Sequence, residues 1–147
     1  MDTWESWPPQ RFFYLFIGLA YLMLWVQVLL FHWRGAFRHW SMWGPVLFAP
    51  VLAVMGILYS FMYGGWLNWL FVILFAVGAI EGILGALFHF KGVKHYIGGF
   101  SLRNFMVGPP PILPMMFMTL SLVALLVYFA WPGPVTGPAG GGYAFIP

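Results

Sequence analysis

Polar side chains are so sparse along this chain of 147 residues that its pattern is read from where the apolar stretches stop. Four apolar runs emerge, at about 10–33, 45–63, 66–90 and 112–131. Each approaches the roughly 20 helical residues that cross a hydrocarbon core, so the pattern predicts four membrane-spanning helices. Glycine and proline punctuate them. Gly35 and Gly92 stand where a helix C-terminus favours a left-handed residue. Gly44-Pro45 and Gly108-Pro109-Pro110-Pro111 open the second and fourth spans, where a proline in the first turn forfeits no hydrogen bond. Gly64-Gly65 predicts a tight turn between spans two and three, and Pro50 and Pro114 are expected to loosen their helices locally.

Composition agrees. Hydrophobic residues make up 63% of the chain and charged residues 6%, against about a quarter charged in a soluble domain. The fold class expected is an all-α integral membrane protein, one membrane domain over residues 1–147. With no cysteine, disulfides, thiolate metal sites and cysteine catalysis are excluded. The acidic start MDTWESWPPQ is unlike a secretory signal, which predicts that the first span is retained.

Charge sets the expected orientation. Arg34 and Arg38 fall between spans one and two, and Lys91, Lys94 and Arg103 between spans three and four. Loops 34–44 and 91–108 are therefore expected on the cytoplasmic side of a bacterial inner membrane, with both termini opposite. The same placement, beside tryptophans, argues for a membrane surface and against nucleic acid as partner.

The two basic loops repeat one phrase. Phe31-His32-Trp33-Arg34-Gly35 corresponds to Phe88-His89-Phe90-Lys91-Gly92, and Arg38-His39-Trp40 to Lys94-His95-Tyr96. Gly44-Pro45 and Pro50 return as Gly108-Pro109 and Pro114. The chain reads as a duplicated helical hairpin, repeat 1 at about 10–63 and repeat 2 at about 66–131. Because each repeat holds two spans, the copies enter the membrane in the same direction, a parallel pseudo-twofold.

That symmetry gathers His32, His39, His89 and His95 at one surface. His32 and His89 are candidate ligands for haem or a pigment, and the four histidines together a candidate metal site. The competing reading is that each histidine complements a helix C-terminus and sits in an aromatic interfacial belt. Glu81, the one acid inside a span, has no counterpart in the first half, where Leu24 occupies its place. It is a candidate for proton transfer, or for a hydrogen bond to a quinone, a pigment or a neighbouring subunit; the competing reading is a protonated carboxyl that joins two helices through a single hydrogen bond. Gly78, Gly82, Gly85 and Ala86 beside it form a small-residue stripe suited to close helix packing.

No paired carboxylates, nucleophile arrangement or phosphate-cradling loop is present, so no enzymatic activity is expected. The Gly/Pro-rich extension 132–147 ends in Tyr143-Ala144-Phe145-Ile146-Pro147, apolar anchors expected to dock on a larger assembly. The function expected is a non-catalytic accessory subunit of a respiratory, photosynthetic or other redox membrane complex, with other membrane subunits and bound lipids as partners. The alternatives are a small cytochrome or metal-binding electron-transfer subunit using His32 and His89, and a small transporter or channel.

Overall fold

The computed structural model describes residues 2–4 and 7–131. Helix α1 (Pro9–Arg34) begins behind an extended Pro8 with proline in its first turn and runs 26 residues, roughly 39 Å at helical rise. A 3-10 turn, Trp40–Met42, leads into α2 (Trp43–Tyr59). Helix α3 (Trp66–Gly92) continues through a π-helical turn, Val93–Ile97. A short helix α4 (Leu102–Val107) then precedes α5 (Ile112–Ala130). Four helical segments are long and apolar enough to cross a membrane: Pro9–Arg34, Trp40–Tyr59, Trp66–Ile97 and Ile112–Ala130. Only 22% to 33% of each is buried inside the chain, which leaves the greater part of every helix to lipid or to neighbouring proteins.

Helices α1 and α2 pack as one hairpin and α3 and α5 as another, and the hairpins join through α1 against α5 and α2 against α3. Without a hydrophobic drive between helices in lipid, such contacts depend on close approach. In the first hairpin Gly18 meets Gly56, and a Cβ added to Gly18 would lie 2.6 Å from the Ile57 backbone nitrogen. In the second, Gly82 lies against the Met118 backbone, and Gly85 against Pro114. Gly78 abuts the Ser121 side chain. Ala86, next in the stripe, is half-buried.

The middle of the bundle is filled by rings. Tyr14, Tyr21, Tyr59, Phe71, Phe75 and Phe117 are all buried, with Tyr59 and Phe71 at 4.2 Å and Tyr21 and Phe117 at 5.0 Å between centroids. The hydroxyls of Tyr21 and Tyr59 are satisfied, as burial requires. Tyr21 donates to the Phe117 carbonyl at 2.6 Å and shares a 2.6 Å hydrogen bond with Ser121. Tyr59 donates to Asn68 Oδ1 at 2.7 Å, and the same oxygen accepts from the Gly64 N–H.

At the end of the bundle that carries the N-terminus, a two-residue strand β1 (Asp2–Thr3) pairs antiparallel with β2 (Met62–Tyr63). Trp4 Nε1 donates to the Tyr59 carbonyl at 3.1 Å. Arg11 Nε donates to the Ser60 carbonyl at 2.7 Å while its guanidinium lies 3.6 Å over the Trp7 ring. A cation on a helix's last carbonyls is favoured by both charge and hydrogen bonding. Arg11→Ala is expected to lower stability by about 1–3 kcal/mol, with Arg11→Lys recovering only part; thermal unfolding in detergent measures both.

Two sequence expectations are corrected. Gly35 and Gly92 are not left-handed caps. Gly35 has φ −78° and the positive angles fall on Ala36 and Phe37. Gly92 is helical at φ −60°, and the left-handed residue is Gly98, at φ 103°, beyond the π turn. Gly92 is small for another reason: a Cβ there would meet Pro109 at 3.0 Å. The segment 91–108 is correspondingly largely helical, because Ser101 accepts from the Asn104 N–H and starts α4. The Gly64-Gly65 turn does have left-handed glycines, at φ 95° and 56°. The extension 132–147, with its apolar anchors, lies outside the described residues.

Candidate functional site

Two features at the end bearing the basic loops hold chemistry. Proline has no N–H, so inside a helix it leaves the carbonyl four residues earlier without its donor. Pro50 frees the carbonyl of Val46, and Trp25 Nε1 from α1 donates to it at 2.9 Å. Pro114 stands in the first turn of α5, and the Pro110 carbonyl just ahead of that helix has no intrahelical donor; His89 Nδ1 from α3 lies 2.9 Å from it. In each hairpin a side chain of the long helix thus reaches a backbone carbonyl at the start of the partner helix.

For His89 this has a chemical consequence. A carbonyl only accepts, so Nδ1 carries the proton and, in the neutral ring, Nε2 carries the lone pair. Ligating histidines are commonly fixed in this way, by a backbone carbonyl on the other ring nitrogen. His32, on the last turn of α1, is within electrostatic reach of His89. Its Nδ1 is buried and has no hydrogen-bond partner among the described residues. Phe37 closes over it with ring centroids 6.3 Å apart.

The other two histidines are placed differently. His39 is exposed and bonded at 3.2 Å to Ser41 Oγ, and His95 is exposed on the π turn. Among the described residues no three His, Cys, Asp or Glu side chains come together as a metal-binding group. The structure thus brings His32 and His89 toward each other and leaves His39 and His95 outside that pair.

Glu81 forms the second feature. It turns away from the Gly78–Gly82 packing face and projects between α3 and α2, where its carboxyl touches Gly44 in the first turn of α2. Any side chain at Gly44 would occupy the space of Oε1. Helix dipoles favour negative charge at that end. A groove of about 410 Å³ surrounds the carboxyl, walled by Leu47, Phe48, Ile80 and Leu84. Among the described residues nothing hydrogen-bonds to Glu81 or forms an ion pair with it.

Sequence reasoning singled out Glu81, His32 and His89 but missed Gly44, Tyr21 and Ser121. The proline spacing was visible; what it exposes needed the facing helix. No protein-family model, curated protein or solved structure matches this chain.

Proposed function

We propose that this protein is a non-catalytic accessory subunit of a larger membrane complex of the respiratory, photosynthetic or other redox class. The observation that carries this reading is the closed aromatic interior. Tyr14, Tyr21, Tyr59, Phe71, Phe75 and Phe117 fill the bundle where a transporter needs a polar path. Scattered single donors and acceptors there serve packing. The broad apolar outer faces instead suit lipids and neighbouring subunits. Affinity purification in a mild detergent, from membranes at natural abundance, is expected to bring down larger subunits in fixed ratio. Shortening the chain before residue 132 is expected to weaken that association. Solute flux in vesicles containing this protein alone would contradict the reading.

The same proposal includes a duplicated hairpin with both basic loops cytoplasmic and both termini outside. Its support is the repeated phrase around His32 and His89 and the way a side chain of each long helix, Trp25 or His89, reaches a carbonyl at the start of the partner helix in its own hairpin. Cysteine accessibility at positions 38 and 64 reads the orientation directly, the first expected to label from the cytoplasm and the second from outside.

A second reading is favoured by the unpaired His32 Nδ1 and the oriented His89 ring: a cofactor held between the two histidines, with electron transfer as the function. If haem is the cofactor, the purified protein has a Soret band that His32→Ala and His89→Ala each abolish. A colourless, metal-free protein from the native membrane would remove this reading.

A further inference from the structure

The α2–α3 groove differs from the matched polar contacts in the middle of the bundle. There Tyr21 is matched to Ser121, Tyr59 to Asn68 and Trp25 to Val46. Glu81 presents its carboxyl to this groove, and among the described residues nothing hydrogen-bonds to it. The groove walls Leu47, Ile80 and Leu84 are 64%, 57% and 48% exposed, so the carboxyl is reached sideways, from the apolar phase.

An acid in such a place is costly unless something compensates it. The chain supplies part of the compensation, through the α2 N-terminus and the space left by Gly44. It supplies no base. The cationic side chains of this end, Arg34, Arg38, Lys91, Lys94 and Arg103, form no ion pair with Glu81. Phe48 lines the same groove, and an aromatic face beside a carboxylate is the combination that attracts a cation. The groove, about 410 Å³ and open to the side, offers one polar group among apolar walls.

We infer that this groove binds a lipophilic ammonium, an amphiphile with an amine head and an apolar body that enters laterally from the bilayer. The head donates to Glu81 and lies against Phe48, and the body lies along Leu47, Ile80 and Leu84. The site stands independently of whether the chain is a subunit of a larger complex.

The test uses the full chain in phosphatidylcholine nanodiscs, which carry no net lipid charge. Dodecylammonium and 1-dodecanol, equal in chain and different in head, are titrated against the fluorescence of the native tryptophans, of which Trp43 adjoins Gly44. Saturable binding of dodecylammonium is expected, at least tenfold tighter than that of dodecanol. Glu81→Gln keeps the shape and is expected to lose that preference. Phe48→Leu is expected to weaken the ammonium several-fold and leave the alcohol unchanged. Gly44→Ala, which pushes the carboxyl aside without opening the bundle, is expected to weaken it as well. Equal affinity for the two heads in the native protein would overturn the inference, as would ammonium binding unaltered by Glu81→Gln. Should Glu81→Gln fail to fold, the Phe48→Leu and Gly44→Ala titrations decide in its place.

Discussion

Gly82→Leu is expected to abolish the folded protein. A Cβ at Gly82 already overlaps the Met118 backbone, with its Cα 2.7 Å away, and backbone cannot swing aside as a side chain does. Helices α3 and α5 would have to separate along their length, which would forfeit the Gly78–Ser121 and Gly85–Pro114 contacts too. Overpacking a flexible core costs about 1–3 kcal/mol; here the cost should exceed that range. Size-exclusion chromatography in detergent should show aggregate in place of the monodisperse peak. Ile83→Leu, one residue along and 46% exposed, should change stability by no more than about 0.5 kcal/mol. Gly18→Leu should repeat the failure in the first hairpin, where Ile57 and Ala53 backbone atoms stand within 3 Å.

The second large effect is expected at Tyr59. Its ring packs 4.2 Å from Phe71 and 5.0 Å from Tyr14, and its hydroxyl holds Asn68, which in turn fixes the Gly64 turn. Tyr59→Ala removes packing and hydrogen bond together, with an expected loss of about 3–5 kcal/mol by analogy with other aromatic truncations. Tyr59→Phe keeps the packing and should cost about 1–2 kcal/mol, because Asn68 Oδ1 retains the Gly64 N–H. Thermal unfolding of both variants in one detergent separates ring from hydroxyl. Dispersion and not water release carries the ring's share, since these helices sit in an apolar medium.

The elements these two residues join were largely legible in the sequence. The four apolar runs coincide within a few residues with the four spanning helices, because length and hydropathy alone decide a span. Helix ends were less legible. A glycine after an apolar run suggests a cap, yet Gly92 serves Pro109 across the hairpin and the helix runs on to Gly98. That choice depends on a residue seventeen positions away, which no local pattern contains. The strand pair of Asp2–Thr3 with Met62–Tyr63 is non-local in the same sense.

The candidate site divides along similar lines. His32 and His89 were legible because the repeated phrase relates them, and the bundle brings them within electrostatic reach. The state of His89 was not, since it depends on the Pro110 carbonyl across the hairpin. Glu81 was conspicuous as an acid inside a span. Its setting was hidden, because the accommodating residue, Gly44, belongs to a different helix and reads locally as part of a Gly-Pro helix start.

The proposed role is tested most directly by the native mass of the species that contains this chain. Membranes taken at natural abundance, solubilised gently and resolved by blue-native electrophoresis with detection of this protein, should place it in one discrete band far above its own 16.7 kDa, together with larger subunits in constant proportion. Recovery as a lone chain in its detergent micelle, under conditions that keep other membrane complexes of the same preparation intact, would contradict it.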